Sequence, residues 1–194
     1  MTTARRSWTY EDYAALPDDG KRYEIHDGEL CELTAPSIRH QIVSGNLYVA
    51  LRAHATLHRL GLVLYAPLDA VLNRGPRATV LQPDILYIGP AHRGGIQMAG
   101  LFGAPTLAVE IFSPSTAAID RGRKRQLYAR YGVPYLWFVD PVAREIEALA
   151  LEGGEYAVAA RVSGDRPVDL PPFIGLDLVP DSLWGDDLPF ADVR

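Results

Sequence analysis

The chain reads as an α/β protein in which helices flank a mixed β-sheet, with a β-hairpin near the N-terminus. Three observations predict this. Short apolar runs of strand character recur at residues 62–65, 70–72, 81–88, 107–113 and 135–139. Two longer segments, 37–60 ahead of these runs and 115–131 between the last two, carry helix start and stop signals instead. The chain has 194 residues, 48% of them apolar and 22% charged, with no repeat and no low-complexity linker, so one domain spanning 1–194 accounts for it.

Residues 7–13 read as a short capped helix that Pro17 and Gly20 end. Residues 23–33 read as a hairpin, because Asp27-Gly28 supplies the positive φ angles a tight turn needs. Ser37 caps the next helix, which runs to about Leu60 and is stopped by Gly61. Its apolar positions Ile42, Val43, Leu47, Val49, Ala50 and Leu57 follow helical spacing only approximately. Strands follow at 62–65 and 70–72, then in the runs that contain Asp84 and Glu110. The glycine-rich stretch 90–105 reads as a loop with a short helix. Ser115 or Asp120 opens a helix ending at Tyr131, where Gly132 follows and Pro134 forbids continuation. A buried strand at 135–139 stops at Asp140-Pro141, and residues 145–151 and 156–162 pair across Gly153-Gly154. The tail from Pro167 is proline-rich but carries spaced apolar residues.

A single cysteine, Cys31, excludes an internal disulfide and a cysteine-rich zinc site. Arg5-Arg6 is followed by no apolar stretch, so neither a secretory nor a twin-arginine signal is expected, and no run is apolar enough to span a membrane. The expectation is a soluble, cytoplasmic protein. The net charge of −5 argues against nonspecific coating of nucleic acid, although five basic residues crowd into positions 121–130.

Alternation sharpens two carboxylates. Asp84 shares a face with Leu86 and Ile88, and Glu110 shares one with Ala108 and Phe112. A carboxylate in such a run is costly unless a positive charge compensates it, and two together repel. A divalent cation such as Mg²⁺ or Mn²⁺ removes both problems. Lys124 and Tyr128 share a helix face, which either aims the ammonium at those carboxylates or leaves it solvated among the arginines. Glu24, in the hairpin, would fit as a third carboxylate, although an exposed strand acid is the commoner case. His26, His54, His58 and His92 show no zinc-ligand spacing. There is no Walker loop, no dinucleotide fingerprint and no nucleophile elbow at Ser113-Pro114-Ser115.

At this point several segments together resemble the Uma2-type endonucleases of the PD-(D/E)XK nuclease superfamily. They are residues 23–30, His40 at the head of a helix, Pro83-Asp84-Ile85, residues 109–115, Lys124 with Tyr128, and residues 132–141. The resemblance implies a restriction-endonuclease-like core, with Asp84 and Glu110 as metal-holding acids and Mg²⁺ or Mn²⁺ as cofactor. It also implies a DNA substrate, phosphodiester hydrolysis, and a possible homodimer. The superfamily pattern places a lysine two residues after the second acid, where this chain has Phe112; the resemblance moves that role to Lys124. Glu24 and His40 match positions near the same site. The rival readings are a nuclease fold that has become a non-catalytic nucleic-acid- or protein-binding module, and a metal-dependent phosphodiesterase for a small substrate.

Overall fold

The computed structural model describes residues 7–113 and 117–185; Ser115, one of the two residues expected to open the third helix, lies outside them. The α/β class and the N-terminal strand pair are as expected, but the strands divide between two sheets rather than one. The first sheet is built from β1 (Arg22–His26), β2 (Glu29–Leu33), β4 (Ala70–Asn73), β5 (Thr79–Leu81), β7 (Ile96–Gln97) and β8 (Gly100–Phe102), in the order β2-β1-β5-β4-β8-β7. The second contains β3 (Leu62–Tyr65), β6 (Ile85–Ile88), β9 (Leu107–Ile111), β10 (Tyr135–Asp140), β11 (Glu145–Glu152) and β12 (Glu155–Val162), in the order β12-β11-β10-β9-β6-β3. A separate hairpin, β13 (Val168–Leu170) and β14 (Phe173–Leu178), is what the spaced apolar residues of the tail become.

The apolar run at 81–88 is where the chain changes sheets. Pro83 has no N–H to give a ladder, so β5 ends at Leu81 and β6 begins at Ile85. Asp84 therefore stands just ahead of a strand, not within one. The stretch 90–105 holds more order than expected, a 3₁₀ helix (Pro90–Gly95) followed by the β7–β8 pair.

Helix α1 (Tyr10–Ala14) starts on a capping box in which Thr9 and Asp12 satisfy each other's backbone N–H groups. Helix α2 (Ile38–Leu57) starts on Ser37 as expected, but ends before Leu60. The stop is a Schellman motif: Arg59 takes φ 54°, and Leu60 N–H reaches back to Ala55 O at 2.9 Å. Gly61 has another duty, since a Cβ there would sit 2.3 Å from Ile88 O. The third helix is interrupted. It comprises α3 (Ala117–Ile119), a π-helical turn (Asp120–Lys124) and α4 (Arg125–Arg130), and Gly132 at φ 72° closes it. No described helix is long and apolar enough to cross a membrane.

These helices cover opposite faces of the second sheet. Val43, Leu47, Leu51 and Ala55 of α2 pack with Leu107, Val109, Ile111, Trp137 and Val139. Leu127 and Tyr128 of α4 pack with Ala108, Phe112, Leu136 and Phe138 on the other side. Both faces of β9 are thus buried, as the alternation of its residues requires. Leu47 is fully buried at the centre of the α2 contact. Leu47→Ala is expected to destabilise the fold by roughly 3 kcal/mol through lost burial and a residual cavity. A lower urea midpoint at unchanged m-value checks this.

Candidate active site

Glu24 and His26 lie two apart in β1, so both side chains leave the same face of the strand. That face points inward, and neither residue is more than 3% exposed. His26 Nε2 stands 2.7 Å from Glu24 Oε2. Burial alone would lower the imidazole pKa; hydrogen bonds with Cys31 and Glu24 outweigh it and lift the value to about 9. Burial likewise pushes Glu24 up, but Lys124 and His26 hold its carboxyl below the ordinary range. Glu24 Oε1 also accepts the Gln82 backbone N–H at 2.7 Å.

From the second sheet, β9 directs Glu110 toward the third helix. Lys124, at the end of the π turn, and Tyr128, in α4, both reach Glu110 Oε1. The ammonium lies at 2.7 Å, and the phenol donates at 2.6 Å. The same ammonium is 3.1 Å from Glu24 Oε1 and 3.8 Å from Asp120 Oδ1. One buried cation thus stands among carboxylates from two sheets and from its own helical turn. Burial raises the Glu110 pKa; Lys124 opposes this, while Asp120, Asp84 and Glu24 drive it further up. Burial would lower the pKa of Lys124, but the surrounding carboxylates keep it raised and the group charged. Burial and the neighbouring Glu110 and Glu24 keep Tyr128 neutral, and so a donor.

Asp84 and His40 form the outward side of this cluster. The β6–β9 register pairs Ile85 with Val109 and Leu86 with Ala108, so one step further along it Asp84 faces Glu110. Asp84 Oδ2 accepts the Ile111 N–H at 2.7 Å and lies 3.1 Å from His40 Nε2. Side-chain exposure rises here to 17% for Asp84 and 12% for His40, so this side meets solvent. His40 Nδ1 is buried and has no hydrogen-bond partner, an orphaned polar atom at the edge of the cluster.

Among the described residues, no three His, Cys, Asp or Glu side chains are gathered into a ready-made metal cage. The donor set still fits a hard divalent cation. The partners of Asp84 meet Oδ2 and those of Glu110 meet Oε1, which leaves Asp84 Oδ1 and Glu110 Oε2. Mg²⁺ is commonly held by one or two carboxylates, with water and phosphate oxygens completing its shell.

All five residues singled out in the sequence, Asp84, Glu110, Lys124, Glu24 and His40, converge here. Lys124 is not a solvated charge, and Glu24 is not an exposed strand acid. The sequence reading missed His26, Asp120 and Gln82. The available signal for His26 was its place two residues after Glu24, and for Asp120 its place four residues before Lys124. The neighbouring arginines are each engaged within the fold. Arg121 bonds Glu147 at 2.9 Å and lies 4.5 Å from the Phe112 ring centroid; Arg123 bonds Glu29 at 2.8 Å; Arg125 donates to Tyr156 O at 2.8 Å; Arg130 is 3.3 Å from Asp27.

A family model described as "Uma2: Putative restriction endonuclease" matches residues 10–181. Among solved structures, a "putative nuclease belonging to DUF820" from Anabaena variabilis ATCC 29413 is similar in fold. The TM-score is 0.69 at 15% identity, covering 91% of this chain and 97% of that one. No curated protein matches the chain.

The cluster generates a pH-dependent prediction. Lys124→Met leaves Glu24 and Glu110 buried without their shared counter-ion, at an expected cost of roughly 3–5 kcal/mol near pH 8. Without Lys124 the folded-state pKa of Glu24 loses its main lowering influence and rises, and that of Glu110, already above its unfolded value, rises further. The penalty is therefore full above the folded pKa and is relieved as pH falls toward the unfolded value near 4.5. Chemical denaturation of wild type and variant between pH 8 and pH 5 should show the gap narrowing; a gap independent of pH would contradict the electrostatic account.

Proposed function

This chain belongs to the Uma2 family, and we propose that it is a Mg²⁺- or Mn²⁺-dependent endonuclease that hydrolyses phosphodiester bonds in DNA. One observation carries the reading: a buried ammonium 2.7 Å from Glu110, with Asp84 one register step beyond the β6–β9 pairs. Two acids and a cation in that relation are the equipment that phosphodiester hydrolysis needs.

Asp84 and Glu110 would hold the divalent cation. When bound, the cation polarises the scissile phosphate and lowers the pKa of an attacking water. The remaining work falls to side chains of the chain. His40 Nε2 and the Ile111 N–H grip Asp84 Oδ2 and fix the orientation of the carboxylate. Tyr128 fixes Glu110 by donating to Oε1. Lys124, kept protonated by its neighbours, offers positive charge to the phosphate oxygens as negative charge builds on them.

A second reading, a nuclease fold without cleavage that binds nucleic acid or protein, has one observation in its favour. Lys124 closes on Glu110 at 2.7 Å, and so compensates by itself one of the two acids a metal would serve.

Supercoiled plasmid separates the readings. Wild-type protein is expected to nick it with Mg²⁺ or Mn²⁺ and not with chelator. Asp84→Ala and Glu110→Ala should abolish nicking, and Lys124→Met should slow it roughly a hundred-fold or more. The metal should also raise the melting temperature of wild type but not of Glu110→Ala, because a ligand of the folded state stabilises that state. Plasmid retention without nicking would support the binding module. Turnover of a small phosphodiester with intact plasmid would point to the small-substrate enzyme.

A further inference from the structure

Gln82 is held at both ends. Its side-chain oxygen accepts from Arg22 Nε at 3.0 Å, and its side-chain nitrogen donates to Asp69 Oδ1 at 2.8 Å and to the Tyr13 hydroxyl at 3.3 Å. Tyr13 in turn donates to Asp69 Oδ1 at 2.9 Å. The main chain of the same residue gives its N–H to Glu24 Oε1, the oxygen that also faces Lys124. Pro83 follows, buried and fixed in φ, and then Asp84. Helix α1, the β3–β4 connection and β1 therefore grip one side chain. Its backbone touches one acid of the site and leads, two residues on, to another.

We propose that Asp69, Tyr13 and Gln82 form the positioning device of this site: the Asp69–Tyr13 pair locks the Gln82 side chain, which aims the Gln82 N–H at Glu24 and sets the approach of Asp84. For what it positions the acids to do, the inference rests on the nuclease reading above. The device acts through geometry rather than charge. A carboxylate at position 69 is needed only for the oxygen that accepts both hydrogen bonds, and an asparagine amide oxygen can take the same two.

The test begins without metal or substrate. In ¹⁵N-labelled protein, the Lys124 ammonium hydrogens are buried against Glu24 and Glu110, and their exchange with water reports whether Glu24 stays in place. Asp69→Ala and Gln82→Leu should speed that exchange by roughly ten-fold, the equivalent of one lost hydrogen bond. Asp69→Asn should return it to the wild-type rate. Tyr13→Phe removes a single hydroxyl, should give a smaller acceleration, and keeps the test available if Asp69→Ala does not fold. In cleavage assays the same two impaired variants should lower kcat and raise the half-saturating Mg²⁺ concentration several-fold, with KM for plasmid unchanged. Wild-type Lys124 exchange in Asp69→Ala, or equal losses in Asp69→Asn and Asp69→Ala, would overturn the proposal. A wild-type protein that cleaves nothing while the exchange contrast holds would reject the nuclease reading and leave the positioning device standing.

Discussion

The buried ammonium of Lys124 is the interaction on which the site depends. It meets Glu24 from one sheet, Glu110 from the other and Asp120 from its own turn. Each of these groups would cost several kcal/mol to bury alone; together, each reduces the cost of the others. The arrangement therefore ties three elements at one point, and none can shift without stranding a charge. The π turn belongs to this tie. Its wide hydrogen bond, from Arg125 N–H to Asp120 O, marks a departure from regular helix where Lys124 turns inward.

Around that point the arginines act as braces. Arg123 joins the helix to the β1–β2 hairpin through Glu29, and Arg130 joins it through Asp27. Arg121 lies over Phe112 and Phe138 while bonding Glu147 on β11. Phe112 thus has a packing role of its own. It leaves β9 on the same side as Glu110, fills the core under the helix, and supports the guanidinium that lies over it. An ammonium at that position would displace this packing, and the cation comes from the helix instead.

The switch at Gln82-Pro83 links fold to site. Because Pro83 ends one ladder, β5 joins β1 and β6 joins β9, and the acids of both sheets are brought to the seam between them. Asp84 sits at that seam, which explains why it faces solvent more than Glu110 does. The same break exposes the Gln82 N–H to Glu24 rather than to a neighbouring strand.

The sequence by itself determined the local elements and singled out the side chains that form the candidate site. Caps at Ser37 and Gly132, the Asp27-Gly28 turn and the alternation in 107–112 are written in neighbouring residues, and they give the α/β class and the inward face of Glu110. Family pattern added the order Glu24, His40, Asp84, Glu110 and Lys124. What only the tertiary structure decided is which charges meet. Two sheets were not distinguishable from one, because strand pairing is set by contacts distant in sequence. The helix stop expected at Gly61 falls to Arg59, and Gly61 instead admits the close approach of Ile88 O. Asp69 gave no local sign of its bonds to Tyr13 and Gln82, since a buried hydrogen-bond partner distant in sequence is chosen by three-dimensional proximity rather than by spacing. Whether Lys124 was a surface charge or the buried centre of the site was open in the sequence for the same reason: periodicity names the face of a helix, and only packing names what that face touches.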